Sequence, residues 1–185
     1  VNLRTFVPPR ALATAEPPAL GDRAPALPDP GLVGGRSAVI AFLRHTGCPF
    51  AEATMIALRD MPGELDRVAI SHAPPDATAR WCEAVGGCGK VRVLGDPGRE
   101  SYAAWGLGRS SLAHFMGRRS LSEVGRLAGR GIRNRHPDGT RWQQAGTFAV
   151  DARGIVRWRH IPGHAGELPD LADAAEAALV RRGRP

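Results

Sequence analysis

Three cysteines in 185 residues are too few, and odd in number, for a disulfide-scaffolded secreted domain. They suit a reducing compartment where any disulfide is transient, so a cytoplasmic protein is expected. Lysine is almost missing: Lys90 is the only one, and the cationic side of a net charge of +7 is otherwise arginine. With abundant alanine, glycine and proline, that bias reads as GC-rich coding and not as a selected basic patch. Neither aromatic–basic interleaving nor a nucleic-acid motif accompanies it, so no nucleic-acid partner is expected. No apolar run reaches the length of a membrane span, and the first residues lack a charged region followed by an apolar one. The expectation is a soluble, non-exported chain with no membrane partner, long enough for one domain with an adequate core.

What is present is an alternation of strand and helix signals. Residues 1–18 are proline-rich and weakly periodic, and read as an extended segment lying on the domain of residues 19–185. The continuous apolar run within Ser37 to Arg44 predicts a buried strand, and Pro49 to about Asp60 a helix stopped by Met61-Pro62-Gly63. A second strand is expected at Arg67 to Ser71, a second helix from Pro74-Pro75-Asp76 to Gly86-Gly87, a third strand at Val91 to Leu94, and a short helix at Ser101 to Trp105. Asp151-Ala152-Arg153-Gly154 between Phe148-Ala149-Val150 and Ile155 to Trp158 is a hairpin signal, and a last helix runs from about Pro169 to Arg182. Between the third strand and the hairpin lies a long insertion, 106–145. Ser120-Leu121-Ser122-Glu123 in it is a capping box, and Leu121, Val124, Leu127 and Ala128 form a stripe that serves either a lid or homodimer contact, or a mere surface decoration. The order β-α-β-α-β, insertion, hairpin, helix requires an α/β fold with parallel members in its sheet and helices on its faces.

Chemistry concentrates at Arg44-His45-Thr46-Gly47-Cys48-Pro49-Phe50. Proline suits the first helical position, which makes Cys48 the N-cap and brings its sulfur toward the free N–H groups of Phe50 and Ala51. Such a setting favours a thiolate when a cation is close, and Arg44, His45 and the arginines of the insertion are the candidates. An inert buried cysteine is the alternative. His160 and His164 are separated by Pro162 and Gly163 and share no helix face, so no metal site and no cofactor is expected.

Four fragments, in order, resemble the AhpC/TSA peroxiredoxin-like superfamily. Gly21-Asp22-Arg23-Ala24-Pro25 with Leu27-Pro28-Asp29 is similar to its opening segment, and Val93 to Pro97 followed by Tyr102 to Leu107 to its "LSDP…YGV" stretch. Gly146 to Asp151 with Gly154 resembles its "TFVID..G.V" hairpin, and the cysteine loop is similar to a divergent branch with "FLR..GCP". The family's usual Thr and Pro before the cysteine are replaced here by His45 and Phe42, and Ala51 stands where a CxxC protein has its second cysteine. The resemblance implies a thioredoxin-like three-layer sandwich with a mixed central sheet, an N-terminal extended segment and a helical insertion before the C-terminal hairpin.

It also implies a thiol oxidoreductase in which Cys48 reduces a hydroperoxide through a sulfenic acid. Arg44, His45, Thr46, Gly47 and Thr147 would line the substrate site, with Thr46 standing in for the missing hydroxyl. Cys82 would be the resolving cysteine, Cys88 a weaker candidate, and thioredoxin or a low-molecular-weight thiol the reductant. Two other readings keep the fold: a thiol-transfer or cofactor-independent step in specialised metabolism, acting on another electrophile, and a non-catalytic interaction protein.

Overall fold

The computed structural model describes residues 7–180. Five strands form one sheet in the order β3-β2-β1-β4-β5, with β1 Ala38–Phe42, β2 Asp66–Ser71, β3 Arg92–Gly95, β4 Gly146–Val150 and β5 Val156–His160. β1 pairs in parallel with β2 (Ile40 opposite Val68) and antiparallel with β4 (Ile40 opposite Phe148), so the sheet is mixed. Its central strand is covered on both faces, which is why all five of its residues are apolar and buried.

Successive side chains of β1 enter two separate core layers. Val39 and Ala41 meet α1 (Pro49–Asp60), α2 (Pro75–Ala84) and α6 (Leu171–Leu179) through Met55, Leu58, Trp81 and Ala174. Ile40 and Phe42 meet the opposite layer, where Phe42 packs edge-on to Tyr102 and Phe148, with Trp105 beside it. Tyr102 belongs to α3 (Glu100–Ala104), whose N–H groups at Glu100, Ser101 and Tyr102 all donate to the Asp96 carboxylate. This is the physical use of the Gly95-Asp96-Pro97 turn. The segment before β1 lies along the sheet's edge: Ala15 N–H donates to the Ala103 carbonyl, and Arg159 holds the carbonyls of Pro17 and Pro18.

The element boundaries expected from sequence hold to within a few residues outside the insertion. The expected basic end of the last helix at Arg181 and Arg182, and residues 1–6 of the extended segment, lie outside the described residues. Inside the insertion the capping box is a correction. α4 (Leu112–Met116) is capped by the Ser111 side chain, and α5 (Arg118–Ala128) starts two residues ahead of Ser120. Ser120 is fully buried, and its hydroxyl donates to the His114 carbonyl instead of capping a helix. Of the expected stripe, Leu127 is buried against the α1 layer, whereas Leu121 is 52 % exposed. No helix among the described residues is long and apolar enough to cross a membrane.

Candidate functional site at the head of the first long helix

Cys48 ends the loop that leaves β1 and is the N-cap of α1, with Pro49 in the first turn. Its backbone is extended and its carbonyl accepts from Glu52 N–H, but the sulfur makes no capping hydrogen bond, so that part of the expected thiol setting is corrected. The thiol is free, 2 % exposed, and 4.0 Å from Arg44 Nη1. Arg44 is itself buried, and its other terminal nitrogen donates to the Arg141 carbonyl at 2.8 Å. Arg141, half-buried, adds a second guanidinium whose charge acts on the sulfur, while burial and Arg44 lower its own pKa. Two arginines, one of them from the insertion, thus supply the cation.

His45 does not. Burial, reinforced by the neighbouring Arg44 charge, lowers its pKa to about 3, and Nδ1 donates to the Thr46 carbonyl at 2.8 Å. It is a neutral ring fixed by its own loop. The Thr46 hydroxyl is buried and points at the Asp138 carbonyl, 3.4 Å away, within a bridge between Thr46 and Asp138. Thr147 sits within β4, opposite Ala41, and lines a narrow, mostly apolar cleft at the head of α1 together with Arg44, Phe50 and Ala51. Pro162, Ala165 and Leu168 close its far side.

Residues 135–143 lie across the cysteine loop, a relation that sequence left open. Arg135 N–H donates to the Gly47 carbonyl, and its guanidinium meets the buried Glu52 carboxylate through Nε at 3.1 Å and Nη2 at 3.3 Å. Thr140 N–H lies 3.1 Å from Nε2 of His72, a buried ring whose pKa is lowered to about 4, mainly by burial. The Tyr102 hydroxyl lies 2.7 Å from both the Leu43 and Ile70 carbonyls, fixing the ends of β1 and β2 directly below Arg44. Sequence reasoning passed over Glu52 and His72, and named the arginines of the insertion only as a group, without singling out Arg141. The only signal for Arg141 was the crowding of eight arginines into 106–145, against Glu123 and Asp138 alone, which places almost all of the net charge of +7 there.

Gly47 shows how tightly this covering fits. Its φ is +83°, and a Cβ there would run into the His136 carbonyl. Gly47→Ala is expected to lose about 1–2 kcal/mol from the left-handed backbone alone, with more from the displaced strand of residues. A lower urea midpoint together with faster iodoacetamide labelling of Cys48 is the expected result. An unchanged labelling rate would mean that the covering segment does not control access.

The other two cysteines are joined to each other. Cys82 and Cys88 form a disulfide with a Cα separation of 5.7 Å, both half-buried against the α1 layer. The structure therefore has a bonded Cys82 where a free thiol awaiting Cys48 was expected. His160 and His164 face different partners, the Glu167 carbonyl and the Gly166 N–H.

A mixed five-stranded sheet with a free cysteine at the N-cap position of the first long helix, a cation beside it and a cleft at its head defines a thioredoxin-fold protein of the peroxiredoxin type. Residues 58–164 match the model of the AhpC/TSA antioxidant enzyme family, more than half of the chain, and the protein belongs to that family. The match begins past Cys48. Similar solved structures include a peroxiredoxin-like protein from Aquifex aeolicus (17% identity, TM-score 0.61, 89% of this chain and 88% of that one). A thiol peroxidase from Chromobacterium violaceum (16%, 0.57, 90% and 88%) and peroxiredoxin 5 from Alvinella pompejana (16%, 0.53, 87% and 98%) are also similar. These likenesses show the fold. No curated protein sequence matches.

Proposed function

We propose that this protein is a thiol-dependent oxidoreductase in which Cys48 attacks a hydroperoxide. The observation that carries the reading is the free Cys48 sulfur at the helix head with the Arg44 guanidinium 4.0 Å away, beside a cleft. A guanidinium at that distance stabilises negative charge both on the attacking sulfur and on the oxygen that leaves. Sulfur attacks the distal peroxide oxygen, the O–O bond breaks, and the second oxygen departs as an alcohol or water. Cys48 becomes a sulfenic acid, and thioredoxin or a low-molecular-weight thiol supplies the two electrons that restore it. Arg44 and Thr147 line the path of the oxidant; His45, Thr46 and Gly47 hold the loop in place. The specialised thiol-transfer reading shares this nucleophile and differs in the electrophile.

The test is mass spectrometry of Cys48 after brief exposure of the reduced protein to hydrogen peroxide or tert-butyl hydroperoxide. Trapping of a Cys48 sulfenic acid at substoichiometric peroxide is the expected result. The near-complete burial of Cys48 favours one other reading, an interaction protein with an inert thiol. A sulfur that neither peroxide nor iodoacetamide reaches at neutral pH would establish it.

A further inference from the structure

One cavity gathers positive charge without compensation. It lies between the extended segment before β1 and the first residues of the insertion. Its walls include Arg10, Leu12, Arg99, Leu107, Arg109 and Gln143, and hold no carboxylate. None of the three arginines forms an ion pair among the described residues. The acids nearest in the chain are engaged elsewhere. The Asp96 carboxylate accepts the N–H groups of Glu100, Ser101 and Tyr102, Glu100 lines a separate groove with Pro28 and Pro97, and Glu16 is not part of the cavity wall. The contrast is the pocket at the starts of β1, β2 and β3. There Arg36, Arg67, Lys90 and Arg92 share the wall with Glu64 and Asp66, and Arg36 pairs with Asp66 at 3.2 Å.

The backbone and the neighbouring rings hold these side chains in place. Arg99 has a φ of +63°, and it is the only residue other than glycine with positive φ among the described residues. That conformation is costly for any residue with a Cβ and free for glycine, so an arginine there points to a role for its guanidinium. Its Nη2 donates to the Arg10 carbonyl at 3.0 Å, which ties the extended segment to the turn before α3. On the other side the Arg109 guanidinium lies 5.2 Å from the centre of the Trp142 ring. The buried Gln143 amide donates to the Leu107 and Gly108 carbonyls and fixes that wall.

The cavity measures about 40 Å³, room for roughly three waters or one tetrahedral oxyanion. Three guanidinium forks offer more donors than the two oxygens of one carboxylate can use. A phosphate presents three terminal oxygens and close to two negative charges. We propose that this cavity binds a phosphate group, either the free ion or the end of a small phosphomonoester. The bound group joins the extended segment, the turn before α3 and the insertion. Ser110 N–H donates to the Trp142 carbonyl and Gln144 N–H to the Gly108 carbonyl, so the same wall anchors the end of the segment that covers Cys48. An occupied site fastens that cover.

The experiment titrates the full chain by calorimetry with inorganic phosphate and, separately, with glycerol 3-phosphate, at an ionic strength held constant with sodium chloride. Saturable binding at a single site is expected, with slower hydrogen exchange in residues 9–14 and 142–144. Tighter binding of the ester assigns the site to a phosphomonoester, and equal or tighter binding of the ion assigns it to free phosphate. Arg99→Gly removes a guanidinium and leaves a residue suited to φ +63°, so the fold is kept. Its affinity is expected to fall about tenfold, the worth of one charge-assisted hydrogen bond. Arg109→Ala, at an exposed position, should lose as much, whereas Arg36→Ala, from the compensated pocket, should lose nothing. Absence of saturable binding would overturn the site, as would wild-type affinity in both Arg99→Gly and Arg109→Ala. A loss that Arg36→Ala reproduces would also overturn it, because the attraction would then belong to a basic protein as a whole. Protection confined to residues outside the two segments would place the ion elsewhere and overturn the assignment too.

Discussion

Replacing Arg44 with methionine is expected to slow oxidation of Cys48 by hydroperoxide by about 100-fold, the scale found when one preorganised donor is removed from a developing negative charge. The side chain is 5 % exposed, so its charge acts through protein and not through water, where an ion pair at 4 Å is worth only about 1 kcal/mol. Methionine retains much of the apolar stem and volume, which separates loss of charge from loss of packing. Lysine at this position keeps the charge but gives up the planar fork that lets one nitrogen face Cys48 while another holds the Arg141 carbonyl. Arg44→Lys should therefore recover part of the rate, with the remaining deficit shared by Arg141→Ala. The measurement is the second-order rate of Cys48 oxidation across pH, by stopped flow with mass-spectrometric confirmation of the site. A rate for Arg44→Met equal to wild type at every pH would mean that the guanidinium is a structural strut and that the thiol owes its reactivity to something else.

The parts of the molecule legible from sequence are those governed by neighbours along the chain. α1 begins at Pro49 and ends at Asp60 as expected, because Cys48-Pro49 and Met61-Pro62 set its limits locally. The hairpin of β4 and β5 was visible for the same reason, with Asp151 accepting from Arg153 and Ile155 N–H groups inside the turn. Where long-range contacts decide, local signals misled. The Ser120–Glu123 pattern is a good cap in isolation, yet burying Ser120 under α4 gave its hydroxyl the His114 carbonyl and moved the helix start to Arg118. His45 looked like a cation beside the thiol. Complete burial next to Arg44 makes it neutral, a consequence of packing that no spacing reveals. Arg141 is separated from Arg44 by 97 positions, and only the path of the insertion back over the cysteine loop brings them together. The pairing of Cys82 with Cys88 belongs to the same class: three cysteines allow three pairings, and the turn beyond α2 selects one.

Acid is expected to destabilise the protein by roughly 5 kcal/mol between pH 7 and pH 4.5, taking about 1.36 kcal/mol per histidine for each pH unit below 6.5 over which the unfolded ring binds a proton and the folded one does not. Two buried rings account for it. His45 titrates at about 3 and His72 at about 4 in the folded chain, against 6.5 when unfolded. Because folding lowers both values, the unfolded chain binds more protons throughout the window below 6.5. Their contribution is complete above pH 6.5 and is lost progressively as pH falls toward 4 and then 3. Burial is the main cause in both, and the second is charge repulsion: Arg44 and Arg141 face His45, while Arg99 and Arg44 face His72. His72 also has no hydrogen-bond partner for Nδ1 among the described residues, so the charged ring, which carries a proton on both nitrogens, would hold one of them buried and unsolvated. The carboxylate of Asp151, held below its usual range by the Ile155 N–H and Arg157, adds loss only at lower pH and leaves this window to the histidines. His72→Gln should flatten the dependence by close to one proton, and His45→Asn by another, since neither amide titrates. The readout is the urea midpoint and slope at closely spaced pH values, with the slope checked for constancy so that a change in midpoint reports stability. A wild-type midpoint that stays level from pH 7 to 4.5 would overturn the assignment. Because His72 meets Thr140 in the segment that roofs Cys48, the same acidification should speed opening of that roof before the whole chain unfolds. Hydrogen exchange of residues 135–143 rising at pH 5, ahead of exchange in β1 and β2, is the order of events that this arrangement requires.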